Sequence, residues 1–209
     1  MNRLISFEGG DGSGKTTQIG LLEDYLCAKG MNCIKTREPG ATALGKILRQ
    51  ALLDVKDTTV FSAAEVFLYL ADRAQHVHEI IQPALAGGKV VLCDRFSDST
   101  LAYQGYGRGF DLTLLRSLNL MASQGITPYL TFLLDIPPAL GLARTQERNT
   151  SGAGKIDRFE REKVEFHEKV RSGFLELARQ EPDRFVVLDA TLPVAEIHQR
   201  IRKAVDLKL

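Results

Sequence analysis

The chain has 209 residues, enough for one domain whose core removes about 70% of the unfolded surface from water. Its 27 Lys and Arg against 26 Asp and Glu give a formal net charge of +1, which argues against a broad nucleic-acid surface. An apolar share of 44% with 25% charged residues argues against disorder. Three cysteines, Cys27, Cys33 and Cys93, lack the spacing of a disulfide framework or a zinc site. Reduced, mostly buried thiols in a cytoplasmic protein are expected. No apolar run approaches the roughly 18 residues of a membrane span, and the first seven residues carry no signal-peptide core.

In chain order, residues 4–7 read as a buried strand that runs directly into the glycines of 9–14. Residues 16–29 read as a helix with Ile19, Leu22 and Leu26 on one face and Gly30 as its stop. A second strand, 33–36, ends at Glu38-Pro39-Gly40. Helices are expected over 42–53 and 62–86, the latter stopped by Gly87-Gly88. Residues 89–93 form the clearest buried strand, followed by a helix over 112–123 and a strand over 130–134. Pro137-Pro138 opens a helix to about 148, and 149–154 is small, polar and glycine-rich, the composition of a loop. A long helix over 157–179, a strand over 185–188 and a helix over 194–205 complete the chain. Five strands separated by helices predict an α/β fold with a parallel sheet, and ligands in such sheets bind beyond the strand carboxyl ends. The glycine loop, Glu38-Pro39-Gly40, Asp94-Arg95 and Asp135 all fall at such ends.

The segment Gly9-Gly10-Asp11-Gly12-Ser13-Gly14-Lys15-Thr16 fits G-x-x-x-x-G-K-[ST]. Its glycines let backbone amides wrap phosphate oxygens at a helix N-terminus. Lys15 then reaches the β and γ phosphates, and the Thr16 hydroxyl is a ligand for Mg²⁺. The loop fixes the nucleotide and not the reaction. No N-K-x-D guanine motif occurs, and the strand ending at Asp94 is followed by a cation, Arg95, rather than by a second acid. An acid for the metal shell beside an arginine that forks onto phosphate suggests an acceptor that is itself phosphorylated.

Five segments together carry a resemblance: Phe7-Glu8 through Lys15-Thr16-Thr17, Thr36-Arg37-Glu38-Pro39-Gly40, Asp94-Arg95-Phe96, Ser99-Thr100-Leu101-Ala102-Tyr103-Gln104-Gly105, and Asp157-Arg158-Phe159-Glu160. In order and spacing they resemble the thymidylate kinases, over essentially the whole chain. The resemblance implies one P-loop nucleoside monophosphate kinase domain over 1–209, a five-stranded parallel sheet flanked by helices, and a short lid at 144–158. It implies ATP as co-substrate, Mg²⁺, dTMP as acceptor, and a cytoplasmic homodimer without nucleic-acid or membrane partners. The ATP side would comprise Gly9, Gly10, Asp11, Gly12, Ser13, Gly14, Lys15, Thr16 and Thr17, with Arg144 as a candidate adenine stacker. Thr16, Asp94 and Glu38 would serve the metal.

For dTMP the resemblance points to Asp11 at the sugar and to Arg37, Glu38, Pro39 and Arg95 at the phosphate. Ser99, Thr100, Tyr103 and Gln104 line the pocket, with Tyr103 crowding the 2′ position. Tyr69 and Arg73, four apart on one helix face, would meet the base. Tyr69 stands where the family usually has Phe, and Phe67 is a second aromatic candidate, though core packing is expected for it. Ala41 stands where a second glycine is common, which requires only that position 41 avoid positive φ. The loop interior holds no arginine, so the catalytic cations expected besides Lys15 and Arg95 are Arg148 and Arg158, with Lys155 also open. The four histidines, 76, 78, 167 and 198, show no ligand spacing and read as ordinary helix residues. A kinase for another monophosphate and a nucleotide-switched binding module remain the rival readings.

Overall fold

The computed structural model describes residues 3–53, 60–150 and 157–208. Five strands form one sheet: β1 (Leu4–Glu8), β2 (Cys33–Arg37), β3 (Val90–Asp94), β4 (Leu130–Asp135) and β5 (Phe185–Asp189). Their order is β2-β3-β1-β4-β5, and every neighbouring pair is parallel. The expected fold class is therefore observed. The helices are α1 (Lys15–Ala28), α2 (Ala43–Leu53), α3 (Ser62–His76), α4 (Gln82–Ala86), α5 (Ser97–Thr100), α6 (Leu112–Ala122), α7 (Pro138–Thr150), α8 (Val164–Gln180) and α9 (Val194–Lys208).

Strand side chains alternate between two faces, and both are buried in the three central strands, β3, β1 and β4. Ile5, Phe7, Leu92, Phe132 and Leu134 join the layer with Leu22, Leu26 and Ile201 of α1 and α9. The intervening Leu4, Val91 and Cys93 pack on the opposite face with Val77, Ile81 and Phe96. On that side a further cluster gathers Leu133, Tyr103, Phe166, Phe174 and Leu177 around α8. This two-sided burial explains the near-continuous apolar runs of the strands.

The departures from expectation lie in the helices. The helix expected over 62–86 is α3, a π-helical segment Val77–Ile81, and α4. Pro83 has no N–H for the preceding turn, and a widened turn just before it accommodates the loss. Residues 97–107, which have no periodic apolar signal, form α5 and a second π-helical segment, Leu101–Gly107. The helix expected from 157 starts only at Val164, because the Asp157 carboxylate accepts from the amides of Phe159 and Glu160 (2.8 and 2.9 Å) and closes a turn. Asn149 and Thr150, expected in a loop, continue α7; the rest of that expected loop and Lys155 lie outside the described residues. The thiols are also less buried than expected: Cys27 is exposed, Cys33 half-buried, and only Cys93 buried. Phe67 is 64% exposed rather than in the core.

The phosphate loop and the root of α7 touch backbone to backbone. A Cβ at Gly12, where φ is +73°, would stand 2.2 Å from the Gly141 carbonyl oxygen, and one at Gly141 would stand 2.4 Å from that of Asp11. Gly141→Ala is expected to push these segments apart and destabilise the chain by about 1–3 kcal/mol, as overpacked sites do. Urea unfolding with an unchanged midpoint would contradict that interlock.

Candidate active site

The candidate side chains of the strand-end segments stand on one edge of the sheet because β1, β2 and β3 end in register. Phe7 pairs with Asp94, and Asp94 with Arg37. The chain therefore delivers the phosphate loop, Glu38-Pro39-Gly40 and Asp94-Arg95 to one place. Gly40 has φ +107°, whereas Ala41 is not among the described residues with positive φ, so alanine fits there.

Lys15 lies under its own loop. Its Nζ donates to the carbonyls of Gly9 (3.0 Å) and Gly10 (2.9 Å). Burial and then the Arg95 charge bring its amine down to about 8. The Thr16 hydroxyl donates to Asp94 Oδ2 (3.0 Å), placing two hard oxygen donors side by side. Arg95 has a left-handed backbone, φ 68°. Its guanidinium donates to Asp11 Oδ1 (2.7 Å), the Gly9 carbonyl (3.0 Å) and Ser99 Oγ (3.3 Å), and lies over the Tyr103 ring at 5.0 Å. Burial would raise the Asp11 carboxyl, but the charges of Arg95 and Lys15 prevail and hold it below its usual value.

Beneath this layer lies a buried second one. Glu8, quoted above only as part of a motif, accepts from the Phe96 amide (2.7 Å) and from Ser99 Oγ (2.6 Å). Burial and then the Asp98 charge push its carboxyl up to about 8. Glu38 is almost fully buried, with Arg73 on Oε2 (2.9 Å from Nε, 2.8 Å from Nη2) and His76 Nδ1 on Oε1 (2.9 Å). Glu38 thus anchors Arg73 while still lining the space bordered by Thr16 and Asp94. One expectation is corrected: His76, far from an ordinary helix residue, is fully buried between Glu38 and Thr36 Oγ1 (2.6 Å). Arg73 also donates from Nη1 to Thr100 Oγ1 (2.9 Å) and to Asn119 Oδ1.

These residues wall two adjoining spaces. One, of about 590 Å³, is lined by Pro39, Tyr69, Arg73, Phe96, Ser99, Thr100, Tyr103, Gln104 and Phe159. The other, of about 1020 Å³, holds Gly12, Gly14, Lys15, Thr16, Thr17, Arg37, Arg144, Arg148 and Asp94. Asp11, Glu38, Arg49, Arg95 and Asp157 line both. Arg49 carried no sequence signal. Its Nη1 donates to the Pro39 carbonyl (2.8 Å), an arrangement only the folded turn creates. Phe67 is not on either wall, and Tyr69 is the aromatic of α3 that lines the smaller space.

The remaining cations separate. Arg144 donates from Nη1 to the carbonyls of Gly12 (3.4 Å) and Ala190 (3.0 Å), behind the loop. Arg148 is half exposed, with Glu160 at 3.5 Å. Arg158 does not face the phosphate loop: it is bound to buried Glu65 and donates to the Leu52 carbonyl (3.1 Å). Glu65 also takes Gln104 Nε2 (2.7 Å).

A family profile described as thymidylate kinase matches residues 7–201. The chain belongs to the thymidylate kinase family. It is 53% identical over 208 residues to a thymidylate kinase of Desulfovibrio desulfuricans, covering 99% of this chain and 96% of the relative. It is 50% identical over 205 residues to one of Desulfosudis oleivorans, covering 97% and 96%. A crystal structure of thymidylate kinase from Ehrlichia chaffeensis superposes with a TM-score of 0.77 at 35% identity, covering 97% of each chain. As a thymidylate kinase the chain is a phosphotransferase that phosphorylates dTMP with ATP.

The raised Glu8 carboxyl has a consequence for stability. The unfolded chain releases this proton near 4.5 and the folded chain near 8. Between those values the folded state binds more protons, so this group's contribution falls as pH rises. Glu8→Gln cannot ionise. Its stability relative to the parent is expected to increase steadily from pH 5 to pH 8 in denaturant titrations; a pH-independent difference would overturn the assignment.

Proposed function

We propose that the phosphate-loop groove takes MgATP, the adjoining space takes dTMP, and the transferring phosphoryl group passes between them beside Arg95. The carrying observation is that the two spaces share a wall at Asp11 and Arg95. Phosphoryl transfer needs alignment and surrounding cations rather than covalent chemistry from the protein. Gly9, Gly10, Gly12, Ser13 and Gly14 supply the amide cradle, and Lys15 exchanges its loop carbonyls for phosphate oxygens. Thr16 and Asp94 are the residues that would hold Mg²⁺, since hydroxyl and carboxylate oxygens suit that cation. When bound, the cation neutralises phosphate charge. Thr17 completes the loop's helix start, and Arg144 braces the loop from behind.

On the acceptor side, Arg37, Arg49 and Arg95 face the dTMP phosphate. Asp11 passes from Arg95 to the sugar hydroxyl, and Tyr103 excludes a 2′-hydroxyl. Tyr69 stacks on thymine. Arg73 has five N–H groups, and its bonds to Glu38, Thr100 and Asn119 leave one on Nη2 for the base. Pro39, Ser99, Thr100 and Gln104 shape the remaining wall. Residues 1–209 act as one kinase domain with 144–158 as its lid. Among the lid cations Arg148 is the proposed phosphoryl contact, supported by its place in the ATP groove, whereas Arg158 acts by securing Glu65.

The proposed assembly is a cytoplasmic homodimer without nucleic-acid partners. Exposed Phe61 and Phe67 on the α3 side and Met121 on α6 offer an apolar surface of the kind that marks an interface. No helix among the described residues is long and apolar enough to cross a membrane.

ADP release measured across a panel of nucleoside monophosphates tests the assignment. Stimulation by dTMP is expected, and Lys15→Ala is expected to abolish it. One missing methyl should slow dUMP by about 10–200-fold in kcat/KM. No stimulation by dTMP, or equal rates for dUMP, would refute the pocket. Arg148→Ala is expected to lower kcat by about 10³ or more with little change in the KM for dTMP. A kcat loss at Arg158 with none at Arg148 would reverse the lid assignment.

A further inference from the structure

Away from the nucleotide edge, at the opposite end of α1, two of the three cysteines meet. Cys27 is in the last turn of α1 and Cys33 is the first residue of β2, and their sulfurs lie 3.6 Å apart. The connection between them explains the meeting. Gly30, at φ +75°, turns the chain back: its amide donates to the Cys27 carbonyl (2.9 Å) and the Met31 amide to that of Leu26 (3.0 Å). A left-handed glycine closing a helix in this way brings the next strand under the helix end. The joint is also strapped by Lys35 and Glu23, 2.6 Å apart, and Cys33 Sγ lies 3.9 Å from the Glu23 carbonyl. Cys27 is exposed and Cys33 half-buried, so a reagent in solvent reaches Cys27 first.

We propose that Cys27 and Cys33 form a reversible intramolecular disulfide that locks the α1–β2 joint without closing the active site. A small-molecule disulfide of the glutathione type is the oxidant. The Cys27 thiolate attacks one of its sulfurs, breaking that S–S bond and releasing one thiolate. Cys33 then loses its proton and attacks Cys27 Sγ, forming the Cys27–Cys33 bond and expelling the second thiol. Two protein thiols are oxidised and one disulfide is reduced to two thiols. Burial and the hydrogen bond with Cys27 push the Cys33 thiol up to about 12, which makes Cys27 the attacking group and Cys33 the resolving one. The sulfurs need only close to the roughly 2.05 Å of a disulfide. The loop they enclose contains no residue of the nucleotide edge. The crosslink joins the helix that starts at Lys15 to the strand that ends at Arg37, at the ends remote from both residues.

The full chain is incubated with oxidised glutathione, then denatured and alkylated, and its mass and peptides are read. The expected product carries one alkylated thiol, Cys93, in place of three, with residues 27 and 33 crosslinked within one chain. C33S is expected to stop as a glutathione adduct on Cys27. C27S is expected to keep both remaining thiols alkylatable. The crosslinked protein should turn over dTMP within about twofold of the reduced protein and melt about 5 °C higher, since the bond restricts the unfolded chain. Three alkylated thiols, a stable glutathione adduct on the parent protein, or a disulfide between two chains would overturn the proposal. A tenfold loss of turnover or a lowered Tm on crosslinking would overturn the lock. The thiol count needs no activity, so its failure is distinct from failure of the kinase assignment.

Discussion

The contact between Arg95 and Asp11 sets the geometry of everything around it. β1 and β3 are adjacent and parallel, and the Arg95 amide donates to the Phe7 carbonyl (3.0 Å), so the residue after β3 emerges beside the phosphate loop. Its backbone is left-handed, a conformation that costs a non-glycine residue about 1–3 kcal/mol. That cost is offset by a charge-assisted bond to Asp11 at 2.7 Å, two further hydrogen bonds and the Tyr103 ring. An extended backbone at this position would carry the guanidinium away from the loop. The two adjoining spaces would then lose their common wall.

Behind Arg95 the carboxylates do the positioning. Glu8 holds the Phe96 amide and Ser99 and so fixes the turn that carries Arg95. Glu38 takes two nitrogens of Arg73 and one of His76, while its own amide donates to the Asp94 carbonyl (2.9 Å). Buried pairs of this kind contribute little net stability, because desolvation offsets attraction. Their effect here is directional. Arg73 is bound on three sides, to Glu38, Thr100 and Asn119, and keeps one bearing toward the smaller space. The His76 ring sits between Glu38 and Thr36, so β2 and α3 are locked together at the site.

The sheet and the phosphate loop were legible because each is written in contiguous residues: an apolar run, a glycine-rich loop, a helix stripe. The strand-end motifs were legible for the same reason. Arg49, His76, Glu65 and Asn119 were not, because their partners lie 10 to 93 residues away in sequence. The late start of α8 has a local cause, the Asp157 turn, but the apolar spacing of Phe159, Phe166 and Val170 masks it. Phe159 lines the smaller space and packs edge-on against Tyr103 at 5.4 Å, so its burial reports the site rather than a helix face. The π-helical stretch Leu101–Gly107 was hidden for a related reason. Its buried residues include Tyr103 and Gln104, which point into the site as well as the core, and a periodic stripe does not survive that double duty.

A net charge of +1 describes the chain as a whole and says nothing of how opposite charges are arranged at this edge. Lys15, Arg37, Arg49, Arg95, Arg144 and Arg148 border the larger space together with Asp11, Glu38, Asp94, Asp157 and Glu160, and Arg95–Asp11 and Arg148–Glu160 are already paired. The cations are gathered around one concave space rather than spread along a surface, which suits a small polyanion once it displaces the acids from them, and not a long one. The same edge also fixes the position of Arg148. Arg144 is tied to the Gly12 and Ala190 carbonyls, and Gly141 abuts Asp11, so the base of α7 is continuous with the phosphate loop. Arg148 lies one helical turn beyond that fixed base, on the same face, with Glu160 of the Asp157 turn beside it. Its distance from the loop is thus set by backbone contacts at Gly12 and Gly141, and a displacement of the loop would move Arg148 with it.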